Sequence, residues 1–74
     1  MTMDEFLSMD LAIYWRWRKI YGGPMVYRNG NDIVFSFRKE DNERMFARVR
    51  CSREEEQELF HRLRHALEEA GLIL

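Results

Sequence analysis

The 74-residue sequence contains one cysteine, one proline and four glycines, and each scarcity excludes a class of protein. A lone cysteine cannot form an intramolecular disulfide, so the fold must be stabilised by packing, and we expect a reducing, cytoplasmic location. So little proline and glycine excludes collagen-like and low-complexity chains. Seventy-four residues, 46% of them hydrophobic, are enough for one core and too few for two, so residues 1–74 are predicted to form a single small domain.

Long apolar runs are also missing. The longest run extends from Leu11 to Trp15, far short of the roughly 20 residues that span a bilayer. The first five residues include the acidic Asp4 and Glu5 and no basic residue, whereas a secretory signal starts with basic ones. We therefore expect no export by a recognisable signal and no membrane as a partner.

Catalytic and cofactor motifs are not recognisable. His61 and His65 have the four-residue spacing that can hold a metal ion on a helix, but Arg62 follows His61 and no third ligand is apparent. Cys51 is predicted to be a small buried residue at a strand end rather than a nucleophile. We expect no enzyme, no cofactor and no metal site.

The net charge of −1 conceals an uneven distribution along the chain. Residues 11–53 carry ten basic groups against four acidic ones. Residues 1–10 carry a net charge of −3 and residues 54–74 a net charge of −4. A basic middle between acidic ends favours an acidic protein surface or a phosphate backbone as the binding partner of the central segment.

The first segment, Thr2 to Tyr21, is predicted to be one helix. Thr2 and Glu5 form a capping-box pattern, and Gly22-Gly23-Pro24 is a typical helix stop. The predicted core stripe consists of Phe6, Met9, Ile13, Trp17 and Ile20. The alternative is a strand, because residues 11–21 also alternate and are rich in Trp, Tyr and Ile.

Two β-hairpins are predicted to follow. Asn29-Gly30-Asn31-Asp32 is a turn sequence between Met25–Arg28 and Ile33–Arg38, and a second polar turn precedes a strand from Arg44 to Cys51. Strict alternation assigns one face to the core: Ile33, Phe35, Phe37, Met45, Ala47 and Val49. It assigns the other face to solvent: Val34, Ser36, Arg38, Arg44, Phe46, Arg48 and Arg50.

A second helix is predicted after Ser52, whose spacing from Glu55 makes another capping box, and Gly71 is predicted to close it. The fold class is therefore α+β, with the order α-β-β-β-α. It comprises a three-stranded antiparallel sheet of two hairpins, with both helices packed on one face. This order resembles that of the double-stranded RNA-binding domain. The acidic run Glu54-Glu55-Glu56, however, stands where that family has phosphate-binding lysines, so we do not assign the chain to it.

Two surfaces are candidate sites. The first is the face of the sheet left open, which we expect to bind a macromolecular partner through Arg28, Arg38, Arg44, Phe46, Arg48 and Arg50. The second is apolar surface beyond the core stripe, which we expect to support homodimerisation through Leu7, Leu11, Tyr14, Trp15, Leu72, Ile73 and Leu74. The alternative for this second set is that the C-terminal tail folds back over the first helix and buries both.

The predicted function is that of a small protein-binding module, a regulator or inhibitor that occupies the surface of another macromolecule. Arginine beside an exposed aromatic ring suits an acidic protein surface, and it equally suits stacking on single-stranded nucleic acid. Nucleic-acid binding through the same face is therefore the alternative function.

Overall fold

A computed structural model describes residues 1–74 and has the predicted order of elements. Its helices and strands are α1 (Met3–Ser8), α2 (Leu11–Tyr21), β1 (Met25–Asn29), β2 (Asp32–Lys39), β3 (Asn42–Arg50) and α3 (Glu56–Glu69). The strands form one antiparallel sheet in the order β1-β2-β3. The α-β-β-β-α prediction is confirmed, and helix rather than strand is confirmed for residues 11–21.

The prediction of one helix from Thr2 to Tyr21 is wrong in one respect, because the helix is interrupted at Met9 and Asp10. The Asp10 carboxylate accepts a hydrogen bond from the Ala12 N–H at 3.0 Å and so caps α2. The break rotates α2 relative to α1, which shifts the apolar stripe.

The shifted stripe changes which residues form the core. Leu11 and Tyr14 are 6% and 3% exposed, whereas the predicted core residues Ile13 and Ile20 are 42% and 52% exposed. Phe6 is fully buried, as predicted. A stripe calculated for a continuous helix had the wrong phase after residue 9.

The core is a single apolar cluster, and its member Phe35 neighbours aromatic rings from all three helices. Its ring centroid lies 4.8 Å from that of Phe6 in α1, 6.1 Å from that of Tyr14 in α2 and 6.4 Å from that of Phe60 in α3. One side chain therefore meets all three helices, which places them on the same face of the sheet.

Both hairpins turn through two residues, and each has a positive φ at the first of them. Gly30 adopts φ 61° and Glu40 adopts φ 57°. The left-handed conformation suits glycine and is strained for a residue with a side chain. The second turn therefore carries strain that the first does not.

Replacement of Glu40 by glycine is expected to increase the free energy of unfolding by about 0.5–1 kcal/mol, because the gain from relieved strain exceeds the backbone entropy that glycine costs. Urea denaturation measures the change. Asp41→Gly is the control, since Asp41 has no positive φ and should only lose stability. A lower unfolding midpoint for Glu40→Gly would contradict the turn geometry.

A β-bulge interrupts the alternation of β3. Phe35 pairs with Ala47, but the next residue, Ser36, pairs with Met45, so Phe46 is the extra residue of the bulge. From the bulge back to the turn the two faces are exchanged relative to strict alternation. Met45 is on the solvent side at 60% exposure, so its assignment to the core is wrong.

The C-terminus folds back onto the core. Gly71 adopts φ 73°, and the N–H groups of Gly71 and Leu72 donate to the carbonyls of Glu68 and Leu67, a Schellman end that confirms Gly71 as the close of α3. Leu72 and Ile73 are half-buried against the core cluster.

No helix combines the length and apolar character that crossing a membrane requires.

Candidate functional site: the open face of the sheet

The candidate site is the sheet face opposite the helices, which we call the open face. The strand register assigns to it Met25, Tyr27 and Asn29 of β1; Asp32, Val34, Ser36 and Arg38 of β2; and Glu43, Met45, Arg48 and Arg50 of β3. None of these side chains belongs to the core cluster or packs against it. The open face is therefore a second surface, independent of the core.

The centre of the open face is apolar. Met25, Tyr27 and Met45 are 38%, 45% and 60% exposed. Val34 and Ser36 of the central strand are almost completely buried. In the register, Val34 is flanked by Tyr27 and Arg48, and Ser36 by Met25 and Met45. Two methionines and a tyrosine on the flanking strands are thus the exposed apolar side chains of the open face, and the central strand between them is buried there.

Charged residues surround this centre. Arg48 forms an ion pair with Asp32 at 3.2 Å, and Glu43 accepts a hydrogen bond from Ser36 Oγ at 3.0 Å. Arg38 and Arg50 form no ion pair within the chain. Two arginines at the rim are thus available for a partner.

Arg28 does not lie on the open face, and its assignment there is wrong. Counting back from the two-residue turn pairs Arg28 with Ile33, whose side chain faces the core. Its guanidinium donates to Glu56 Oε1 at 2.8 Å and to the Cys51 carbonyl at 2.9 Å. Arg28 therefore ties β1 to the start of α3 and is not free for a partner.

Arg44 and Phe46 are also on the helix side, because the bulge exchanges the faces. Phe46 is half-buried, with ring centroids 5.1 Å from Trp17 and 5.5 Å from Tyr14. Arg44 pairs with Phe37 and lies 3.4 Å from the Tyr21 hydroxyl. Of the six residues predicted for this site, Arg38, Arg48 and Arg50 remain.

The residues that the sequence reasoning missed are Met25, Tyr27 and Met45. The alternation of β1 could have identified Met25 and Tyr27. Pairing the strands outward from the Gly30-Asn31 turn places both of them on the same face as Val34. Met45 carries no such signal, because the sequence does not mark the bulge.

The residues predicted for self-association are largely internal. Leu11 and Tyr14 are core, and Leu7, Trp15, Leu72 and Ile73 are half-buried against it. Leu74 is fully exposed. Leu72 lines one groove together with Trp15 of α2, which agrees in part with the alternative of a folded-back tail. The expectation of a bare apolar surface is wrong for six of the seven positions, and only Leu74 fits it. Self-association itself stays untested.

The candidate reactive side chains are two exposed histidines and one buried cysteine. His61 and His65 are exposed neighbours with ring centroids 4.7 Å apart, and no group of three potential metal ligands exists in the chain. Cys51 is completely buried, and this burial raises the pKa of its thiol. The predicted burial of Cys51 is confirmed.

Two carboxylates have a pKa below the ordinary value of 4.5, and both belong to capping boxes. The backbone and side chain of Thr2 hydrogen-bond with Glu5, and those of Ser52 with Glu55. These bonds favour the charged carboxylate. The shifts are thus explained by helix starts rather than by a catalytic pair.

These capping boxes predict a loss of stability in acid. Both pKa values are lower in the folded than in the unfolded chain, so the stabilisation is present above pH 4.5 and is lost as pH falls through the folded pKa. We expect the free energy of unfolding to decrease below that pH. The double variant Glu5→Gln, Glu55→Gln should depend less on pH, and an unchanged dependence in urea titrations would contradict this origin.

Comparison with protein-family models, with curated proteins and with solved structures finds no match to this chain.

Proposed function

We propose that the chain is a small protein-protein interaction module, a regulator or inhibitor that binds another protein through the open face. The observation that carries this proposal is the exposed apolar centre of Met25, Tyr27 and Met45 with Arg38 and Arg50 at its rim. Tyrosine, methionine and arginine are enriched at protein interfaces, and an apolar centre within a polar rim is the usual anatomy of an interface. A cytoplasmic location is part of this proposal.

The partner is expected to be a protein surface with an apolar centre and carboxylates at its margin. Arg38 and Arg50 lack ion pairs within the chain, so carboxylates of a partner would give them counter-charges. Asp32 and Glu43 lie among these arginines, and they would repel a phosphate backbone. For this reason we favour protein over nucleic acid, the alternative function.

A photo-crosslinking amino acid at position 45 tests the proposal in lysate of the source cells. We expect a defined protein adduct from this position and none from position 20, because Ile20 is similarly exposed but lies on α2. The adduct should disappear when an excess of wild-type protein without the crosslinking residue competes for the partner. It should persist when the competitor is the double variant Arg38→Glu, Arg50→Glu. Adducts at position 20 alone, or adducts with nucleic acid, would overturn the proposal.

Salt dependence separates the two functions directly. Nucleic-acid affinity decreases steeply with the logarithm of salt concentration, in proportion to the phosphates contacted, whereas an interface with an apolar centre weakens only modestly. A pool of short oligonucleotides at low and at physiological salt, followed by fluorescence anisotropy, is the probe. We expect no binding at physiological salt, and tight salt-sensitive binding there would favour the alternative.

A further inference from the structure

The outer edge of β1 is an unpaired sheet edge with apolar side chains on both faces. Met25 and Tyr27 lie on the open face, while Val26, 39% exposed, lies on the helix side near Phe60, also 39% exposed. Edge strands in monomeric proteins are usually protected by charged side chains, by proline, by a bulge or by a covering element. Met25–Asn29 contains no proline and has no bulge in its pairing with β2. Its one charged side chain, Arg28, is paired with Glu56 and largely buried.

The main-chain groups of this edge can be assigned from the turn. A two-residue hairpin turn is closed by a hydrogen-bonded pair, here Asn29 and Asp32, and such pairs alternate along an antiparallel ladder. The N–H and C=O groups of Val26 and Arg28 therefore point away from β2. They form a row of free donors and acceptors that only another strand satisfies regularly.

The opposite edge of the sheet is different. The Arg50 N–H donates to the Met1 carbonyl at 2.7 Å, and the Met1 amino group donates to the Arg48 carbonyl at 2.8 Å. The bulge at Phe46 distorts the remainder of β3. Consequently β1 is the one regular edge available, and an assembly that uses it closes after two copies.

We propose that two copies of the chain associate by antiparallel pairing of β1 with β1, which makes a continuous six-stranded sheet. This dimer does not rest on the proposed function. A two-fold axis at Tyr27 places Val26 opposite Arg28 of the second copy, so the outward main-chain groups of both residues find partners. The two Tyr27 side chains then lie side by side on the open face, and the two Val26 side chains lie diagonally across the axis on the helix side.

Charge favours a second copy as the occupant. Arg28 is the one charged side chain of β1, and its guanidinium is neutralised by Glu56 at 2.8 Å with 14% of its side chain exposed. In this register it faces Val26 rather than another arginine, so no like charges meet. With a net charge of −1, the chain has little overall repulsion against a copy of itself.

The test is the molar mass from light scattering after size exclusion, over a wide range of protein concentration. We expect the wild type to approach twice 9.1 kDa at high concentration and Val26→Lys to stay monomeric, with at least about tenfold weaker association, since lysine at an edge opposes strand pairing. Ile13→Lys is the matched control, because Ile13 is 42% exposed on α2, and it should dimerise like the wild type.

Amide hydrogen exchange provides a second readout that needs no variant. The N–H groups of Val26 and Arg28 should become protected as the dimer forms, while those of exposed loops do not. A monomer at all concentrations, a dimer that Val26→Lys leaves intact, or an open-ended polymer would each overturn the proposal. Met45 lies on β3, away from the β1 edge. A Met45→Asp variant that still dimerises but no longer binds a partner would show that dimerisation and partner binding use different surfaces.

Discussion

Truncation of Phe35 to alanine is expected to destabilise the protein by about 3–5 kcal/mol, the largest effect of any single change that we foresee. Its ring is 1% exposed and contacts aromatic rings from all three helices. A domain of this length has a free energy of unfolding of about 4–11 kcal/mol. The variant should therefore lose much or all of its cooperative unfolding transition.

Circular dichroism during urea denaturation measures this loss. Phe60→Ala is the control, because Phe60 is 39% exposed and contacts the same cluster only at its border. It should cost about 1 kcal/mol, in proportion to its smaller burial. Equal losses for the two variants would mean that Phe35 contributes no more to the core than Phe60 does.

Lysine substitutions at the adjacent residues Met45 and Phe46 are expected to have opposite outcomes. Phe46→Lys removes a half-buried ring that packs on Trp17 and Tyr14, and should cost about 2 kcal/mol. Met45→Lys changes a side chain that is 60% exposed, and should alter stability by less than about 0.5 kcal/mol. The unfolding midpoints of the two variants measure the difference.

This pair of variants tests the bulge itself. Strict alternation would bury Met45 and expose Phe46, so it predicts the reverse order of stability. No other pair of neighbouring positions separates the two registers so directly. A larger loss for Met45→Lys than for Phe46→Lys would contradict the bulge and return Phe46 to the open face.

The order of elements could be predicted because local signals of different kinds agreed. The two capping-box patterns, the Gly30 turn and the Gly71 stop each require particular side chains or backbone angles, and the structure uses all four. The alternation of Ile33, Phe35 and Phe37 correctly assigned the core face of the central strand.

The errors arose where a single residue changed the phase of a pattern. The first helix ends at Ser8 and Asp10 caps the next one, which places Leu11 and Tyr14 in the core. Phe46 adds one residue to β3, which moved Met45 to the open face. In both cases the apolar pattern of the sequence continues across the irregular residue. Local periodicity therefore does not show which side chains face the core after it.

The prediction that Arg28 lies on the open face was wrong for a different reason. Its position on β1 depends on hairpin register, and its partners Glu56 and Cys51 are distant in sequence. An arginine predicted to bind a partner instead satisfies groups within its own chain. The register that places Arg28 on the helix side places its uncharged neighbours Met25 and Tyr27 on the open face.

Whether a partner binds the open face is decided by the affinity of the purified, crosslink-identified partner for the wild type, for Met45→Asp and for Ile20→Asp. Met45→Asp places a carboxylate at the centre of the open face without disturbing the core or the β1 edge. We expect its affinity to fall by at least about tenfold, corresponding to about 1.4 kcal/mol, and that of Ile20→Asp to equal the wild type. Equal affinity of Met45→Asp and the wild type, with loss of affinity for Ile20→Asp, would show that the partner binds α2 and not the open face.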